Sequence, residues 1–244
     1  MTQKFRTTAG FLAVIAGALL IVADLGLLLG NVRETGTFMP QLSETALYPV
    51  ASFVGTPLYT ATSIISLVAL GLAVLAVVGL HSQQAEQTGQ LGLFCVAVLI
   101  VGLALTFAVA WFMAFMLPDL MTAAPTFFAD AGTLVPVGLI VADICVVAGT
   151  LGYFIMSWDA AVYPSWTAML LALSGLVGLA SFFVDVPVGE AAALGVALVG
   201  MGMYLPKVVG PTSSGLDLDD VEVAPSPPPA EPADAEDAEP GEEV

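Results

Sequence analysis

Charge is what this sequence has least of. Only 10% of its 244 residues are Asp, Glu, Lys or Arg, against roughly 25% in soluble domains. Basic residues are the scarcest, with Lys4, Arg6, Arg33 and Lys207 making up the whole set. Four scattered cations cannot form the basic patch that nucleic acid requires, so no nucleic-acid partner is expected. Two cysteines, Cys95 and Cys145, each lie inside an apolar block; they exclude a disulfide framework and read as small apolar fillers. The one histidine, His81, stands beside Ser82 and Gln83 and is too isolated for a zinc centre or a His-based triad. Met113, Met116, Met121, Met201 and Met203 have no His or Cys at useful spacing and read as apolar filler, not copper ligands. There is no phosphate-cradling glycine loop, dinucleotide fingerprint or zinc-protease helix. Neither a cofactor nor a metal is expected, nor an enzymatic site of the soluble type.

What the chain has in abundance is apolar surface: 58% of its residues are hydrophobic and its mean hydropathy is +0.97. These residues fall in blocks close to the ~20 residues that cross a hydrocarbon core. The bilayer is therefore the expected solvent, and the expected fold is an all-α, polytopic transmembrane helical bundle of about six helices. The spans are read at about 10–30, 57–80, 90–117, 134–157, 164–184 and 187–205. Thr56 followed by Pro57 suits an N-cap and first-turn proline, and Pro164 and Pro187 suit the first turns of the fifth and sixth spans. Pro118 and Pro206 are placed to stop the third and sixth. The first block follows Lys4 and Arg6 as a signal peptide would, but it is too long, holds Asp24 and lacks a small-residue cleavage site.

Residues 1–208 are read as the membrane domain and 209–244 as a disordered tail. The tail is rich in Pro, Ala, Asp and Glu and holds more than half of the 21 acidic residues, so it dominates the formal charge of -17. It has too few apolar residues to offset the entropy of ordering. The positive-inside rule counts Lys and Arg. With six spans it sets Lys4, Arg6 and Lys207 on one side against Arg33, so both termini are expected in the cytoplasm and the protein in the cell membrane. Trp158, Tyr163 and Trp166 are read as an aromatic belt at the cytoplasmic face, with Trp111, Phe112 and Phe115 toward the outer one. Residues 81–89 and 158–163 are read as short cytoplasmic connections. The outer connections, 31–56 and 118–133, contain partly apolar stretches at 46–54 and 125–132.

Carboxylates inside spans are costly to insert and serve as candidate functional residues. Asp24 and Asp143 are the two that qualify, and both fall in the outer half of a six-span bundle, where they could share a cavity. They also share the pentapeptide LIVAD, at 20–24 and 139–143, which would mark an inverted repeat if it reflected duplication. Glu190, about one turn into the sixth span, is a marginal third carboxylate, placed where an acid favours the positive end of the helix dipole. Small residues at four-residue spacing, Ala148 with Gly152, Ser174 with Gly178, and Gly189 with Ala193 and Ala197, are expected to let the last three helices approach closely.

From Tyr153 to Gly202 the chain has a helix end, a YPSW turn, a glycine-rich helix, an acidic hairpin and a small-residue helix. That last third resembles uncharacterised prokaryotic multi-span membrane proteins, a resemblance that implies no activity. The expected role is non-enzymatic, an accessory or scaffold protein whose partners are the lipid bilayer and a protein bound through helix packing or the acidic tail. The alternative is a small transporter or channel for a proton, cation or small solute that uses Asp24 and Asp143. An intramembrane hydrolase would pair the same two aspartates as acid and base, but VADL and VADI lack the Tyr-Asp and Gly-x-Gly-Asp patterns of intramembrane aspartyl proteases.

Overall fold

The computed structural model describes residues 3–35, 54–123, 134–181 and 190–208. Those residues are helical throughout apart from short turns, with no strand among them. The chain divides into a unit Met1–Gly210 and a remainder Pro211–Val244. The tail, the tip of the last hairpin at Asp185 and Pro187, the 125–132 stretch and all of 46–54 except Val54 lie outside the described residues.

Six helices follow in order: α1 Gln3–Thr35, α2 Pro57–Phe115, α3 Leu117–Ala123, α4 Leu134–Ala160, α5 Ser165–Ser181 and α6 Glu190–Val208. Three apolar stretches are long enough to cross a membrane: Thr8–Gly30, Pro57–Phe115 and Ile140–Ala160. Ser165–Ala180 and Ala191–Tyr204 are shorter apolar helices. At ~1.5 Å per residue these two stretches are ~24 and ~21 Å long, shorter than the ~30 Å hydrocarbon core.

The expected connection at 81–89 is not a loop. Helical hydrogen bonding continues through it, and the chain turns at one residue, Gly89, whose φ of 58° and ψ of -148° lie in a region essentially reserved for glycine. The two arms of α2, 57–88 and 90–115, fold back on one another. The Tyr59 hydroxyl near the start of the first arm donates to the Met113 carbonyl near the end of the second, at 2.9 Å. The start of α2 is built as the sequence suggests, with the Thr56 hydroxyl accepting from the Tyr59 N–H at 3.3 Å and Pro57 in the first turn.

Of the two prolines expected at helix ends, Pro118 does follow the end of α2 at Phe115, whereas Pro206 does not stop α6. Pro118 lies in the first turn of α3, a short helix after the break at Met116, and α6 runs through Pro206 to Val208. α4 does end where a turn was expected, at Ala160, and Ala161 follows with a φ of 51° in the left-handed region.

α2 packs against α1 and α4, α4 against α5, α5 against α6, and α6 against α1. The centre is filled by side chains with no solvent exposure, among them Ala13, Ala16, Leu20, Ala73, Leu99 and Met201. A smaller cluster of Val54, Tyr59 and Leu117 closes one end. Outward, every long helix shows large apolar side chains, for example Phe11, Leu75, Phe94, Ile144, Leu173 and Met203. An apolar shell around an apolar core is what a bilayer solvent selects, because lipid imposes no penalty on either face.

α1 and α6 approach closely through glycine, and they run antiparallel. A methyl group added at Gly195 would lie 2.6 Å from the Gly17 carbonyl, and one at Gly202 would lie 2.5 Å from the Gly10 carbonyl. The pairs 17–195 and 10–202 repeat after seven residues on each helix, so two turns of backbone meet backbone. The end of α1 near Gly10 therefore lies beside the end of α6 near Gly202. Of the expected four-residue series, Gly189 lies outside the described residues and Ala197 is fully buried, while the backbone-to-backbone contacts of α6 are made at Gly195 and Gly202. On α4 the close residues are Gly149, against the Leu99 backbone, and Gly152, against Cys95, while Ala148 is exposed.

Candidate functional site

Asp24 lies on the face of α1 that meets the start of α6. Its Oδ2 accepts a hydrogen bond from the Ala192 N–H at 3.3 Å. Ala192 is the third residue of α6, whose first-turn N–H groups have no partner within their own helix. Asp24 thus does in trans what an N-cap side chain does in cis, and its negative charge meets the positive end of the α6 dipole. Glu190 is the first residue of α6, slightly earlier than the sequence suggested.

Asp143 lies within α4 and is half-buried. α1 and α4 each pack on α2 and not on one another, so the structure does not bring the two LIVAD segments face to face. No group of three or more His, Cys, Asp or Glu side chains able to hold a metal ion occurs among the described residues. Cys95 and Cys145 are free thiols; the Cys95 sulfur faces Gly152, and the Cys145 backbone lies against Gly102 of the second arm of α2.

A second group of residues, which the sequence did not single out, gathers where the first arm of α2, the last turns of α4 and the 161–164 turn meet. Gln84 and Ser157 are fully buried and joined by a bond from Gln84 Nε2 to Ser157 Oγ of 3.0 Å. Tyr163, expected in an interfacial belt, is instead buried and donates its hydroxyl to the Leu80 carbonyl at 2.9 Å. That burial pushes the Tyr163 phenol up from its ordinary pKa. Trp158 and Trp166 do face outward.

Tyr153 is wholly buried beside Ser157 and Gln84. Its ring meets that of His81 edge-on, with centroids 6.3 Å apart. His81 is buried because α2 continues past it, where the sequence had placed a helix end. Among the described residues, His81 Nδ1 and Thr150 Oγ1 have no hydrogen-bond partner in the protein, while the Tyr153 hydroxyl interacts with the Ser157 and Gln84 side chains. Thr150 lies one turn further along the same face of α4 and is fully buried. The group contains no formal charge, so it offers hydrogen bonds to a neutral ligand and nothing to offset burying an ion.

One signal in the sequence could have located this group: Thr150, Tyr153 and Ser157, spaced three and four apart, put three polar side chains on one face of an otherwise apolar helix. Comparisons with family models, curated proteins and solved structures found no match to the chain.

Proposed function

We propose that this chain is a six-span, non-enzymatic membrane protein that acts as an accessory or scaffold subunit, with both termini in the cytoplasm. In this reading the two arms of α2, together with α1, α4, α5 and α6, are the six spans. The observation that carries the reading is the role of Asp24. The carboxylate that would have served chemistry or transport instead holds the start of α6, in a bundle whose centre is filled by Ala, Leu and Met side chains. A scaffold needs such a fixed body, and the acidic tail is free to serve as its docking element. Affinity purification of the full chain in mild detergent should return a stoichiometric protein partner, and removing residues 210–244 should release it. A homogeneous preparation with no partner at any detergent strength would overturn the scaffold reading.

Transport of a proton or small solute is the second reading, favoured by the buried polar group around Gln84 and Tyr153. Asp143 is the carboxylate left to it. Uptake into proteoliposomes that falls in Asp143→Asn would support this reading, and equal uptake by the variant and the parent chain would remove it.

A further inference from the structure

We propose that His81 is an acid-sensitive latch: neutral, it lets the end of α2's first arm close on α4 and the 161–164 turn, and protonated it releases them. The side chain is 8% exposed and its Nδ1 has no hydrogen-bond partner among the described residues. Its ring meets that of Tyr153 edge-on, with an interplanar angle of 63°. On either side of it along α2 lie the two bonds that fasten these elements together. One runs from the Tyr163 hydroxyl to the Leu80 carbonyl at 2.9 Å and the other from Gln84 Nε2 to Ser157 Oγ at 3.0 Å. His81 stands between the fastenings.

A charged imidazole at this place has no anion to meet among the described residues. From α4 it faces Tyr153, while Asp159 is exposed on a face turned away from Ser157. The turn contributes Tyr163. On α2 itself the nearest acid is Glu86, exposed and well round the helix from His81. The second arm adds Cys95, a free thiol. α1 packs on the first arm with Gly26 against Thr62, and an antiparallel course from that contact sets Lys4 and Arg6 at the His81 end. Lys207, near the end of α6, belongs to the same end of the bundle. These three are cations, so nothing here offsets the cost of taking an imidazolium out of water.

An imidazolium regains water by moving outward, which parts it from Tyr153 and pulls on the bonds at Leu80 and Gln84. The closed end therefore holds the neutral ring, and the open end takes up a proton below the ordinary histidine midpoint of ~6.5. The latch is fully held above that pH and lost below it. At about pH 5.5 the open form gains about tenfold over its share at about pH 7.5.

Amide hydrogen exchange of the full chain in lipid nanodiscs reads this opening, with labelling times matched for the intrinsic exchange rate at the two pH values. Amides of 78–88 and 153–160 should lose about tenfold in protection between about pH 7.5 and about pH 5.5. Those of 192–199, in the seam between α1 and α6, should not change. His81→Gln and His81→Phe, neither of which can take up a proton, should show equal protection at both pH values. Unchanged protection in the parent chain, or the same acid loss in either variant, would overturn the proposal. So would a loss shared equally by the seam, which would report general acid unfolding and not a local latch.

Discussion

At Asp24 a carboxylate sits within an apolar helix and completes a different one. Its Oδ2 takes the N–H of Ala192, a group that α6 cannot satisfy internally. Asp24→Ala should therefore lower the thermal stability of the purified protein by about 1–2 kcal/mol, the usual cost of losing an N-cap. Asp24→Asn keeps an acceptor oxygen and should retain most of that stability; a melting temperature as low as that of Asp24→Ala would argue against the cap. The sequence identified Asp24 as a carboxylate in need of a partner but could not supply the partner. Ala192 offers only a backbone N–H, 168 positions away, and no side-chain pattern marks it. His81 was misjudged for a different reason: its burial depends on α2 continuing beyond Leu80.

The helices themselves were legible, because the length and apolarity of the blocks determine them, but their joints were less so. Residues 81–88 look like a loop by polarity, yet Gln83, Gln84, Ala85, Glu86 and Gln87 are good helix formers, so the helix continues until Gly89 supplies the reversal. Small-residue packing was anticipated at Gly152, Ser174, Gly178 and Ala197, which are buried or closely approached, but not at Gly17, Gly195 and Gly202. Spacing identifies small residues, whereas the partner helix decides which of them meet backbone. Two substitutions separate these roles. Gly17→Ala would drive a methyl into the Gly195 carbonyl and should destabilise the protein by roughly 1–3 kcal/mol. Gly138→Ala, also within a helix but with nothing near the new methyl, should be neutral or stabilising by up to about 1 kcal/mol. Thermal melts of the two variants in one detergent test the contrast, which fails if both move in the same direction.

For the whole molecule, the antiparallel contact of α1 with α6 sets the start of the first helix beside the end of the last. A six-span topology requires both chain ends on one side of the membrane. In a chain carrying Cys95→Ala and Cys145→Ala, single cysteines introduced by Thr2→Cys and by Ser213→Cys should react alike with an impermeant thiol reagent. Both should be labelled in inside-out vesicles and neither in sealed right-side-out ones. Opposite sidedness would exclude an even number of spans.

The Asp24 bond also orders the assembly of the protein in time. α1 leaves the ribosome before α6, yet each holds surface that the other must cover: the carbonyls of Gly10 and Gly17 on one side, Gly195, Gly202 and the opening N–H groups on the other. Until α6 is made, α1 has an unpartnered carboxylate and an uncovered glycine seam along that edge. A chain cut short before α6 would leave the Asp24 carboxylate and the α1 glycine seam without the partner that covers both.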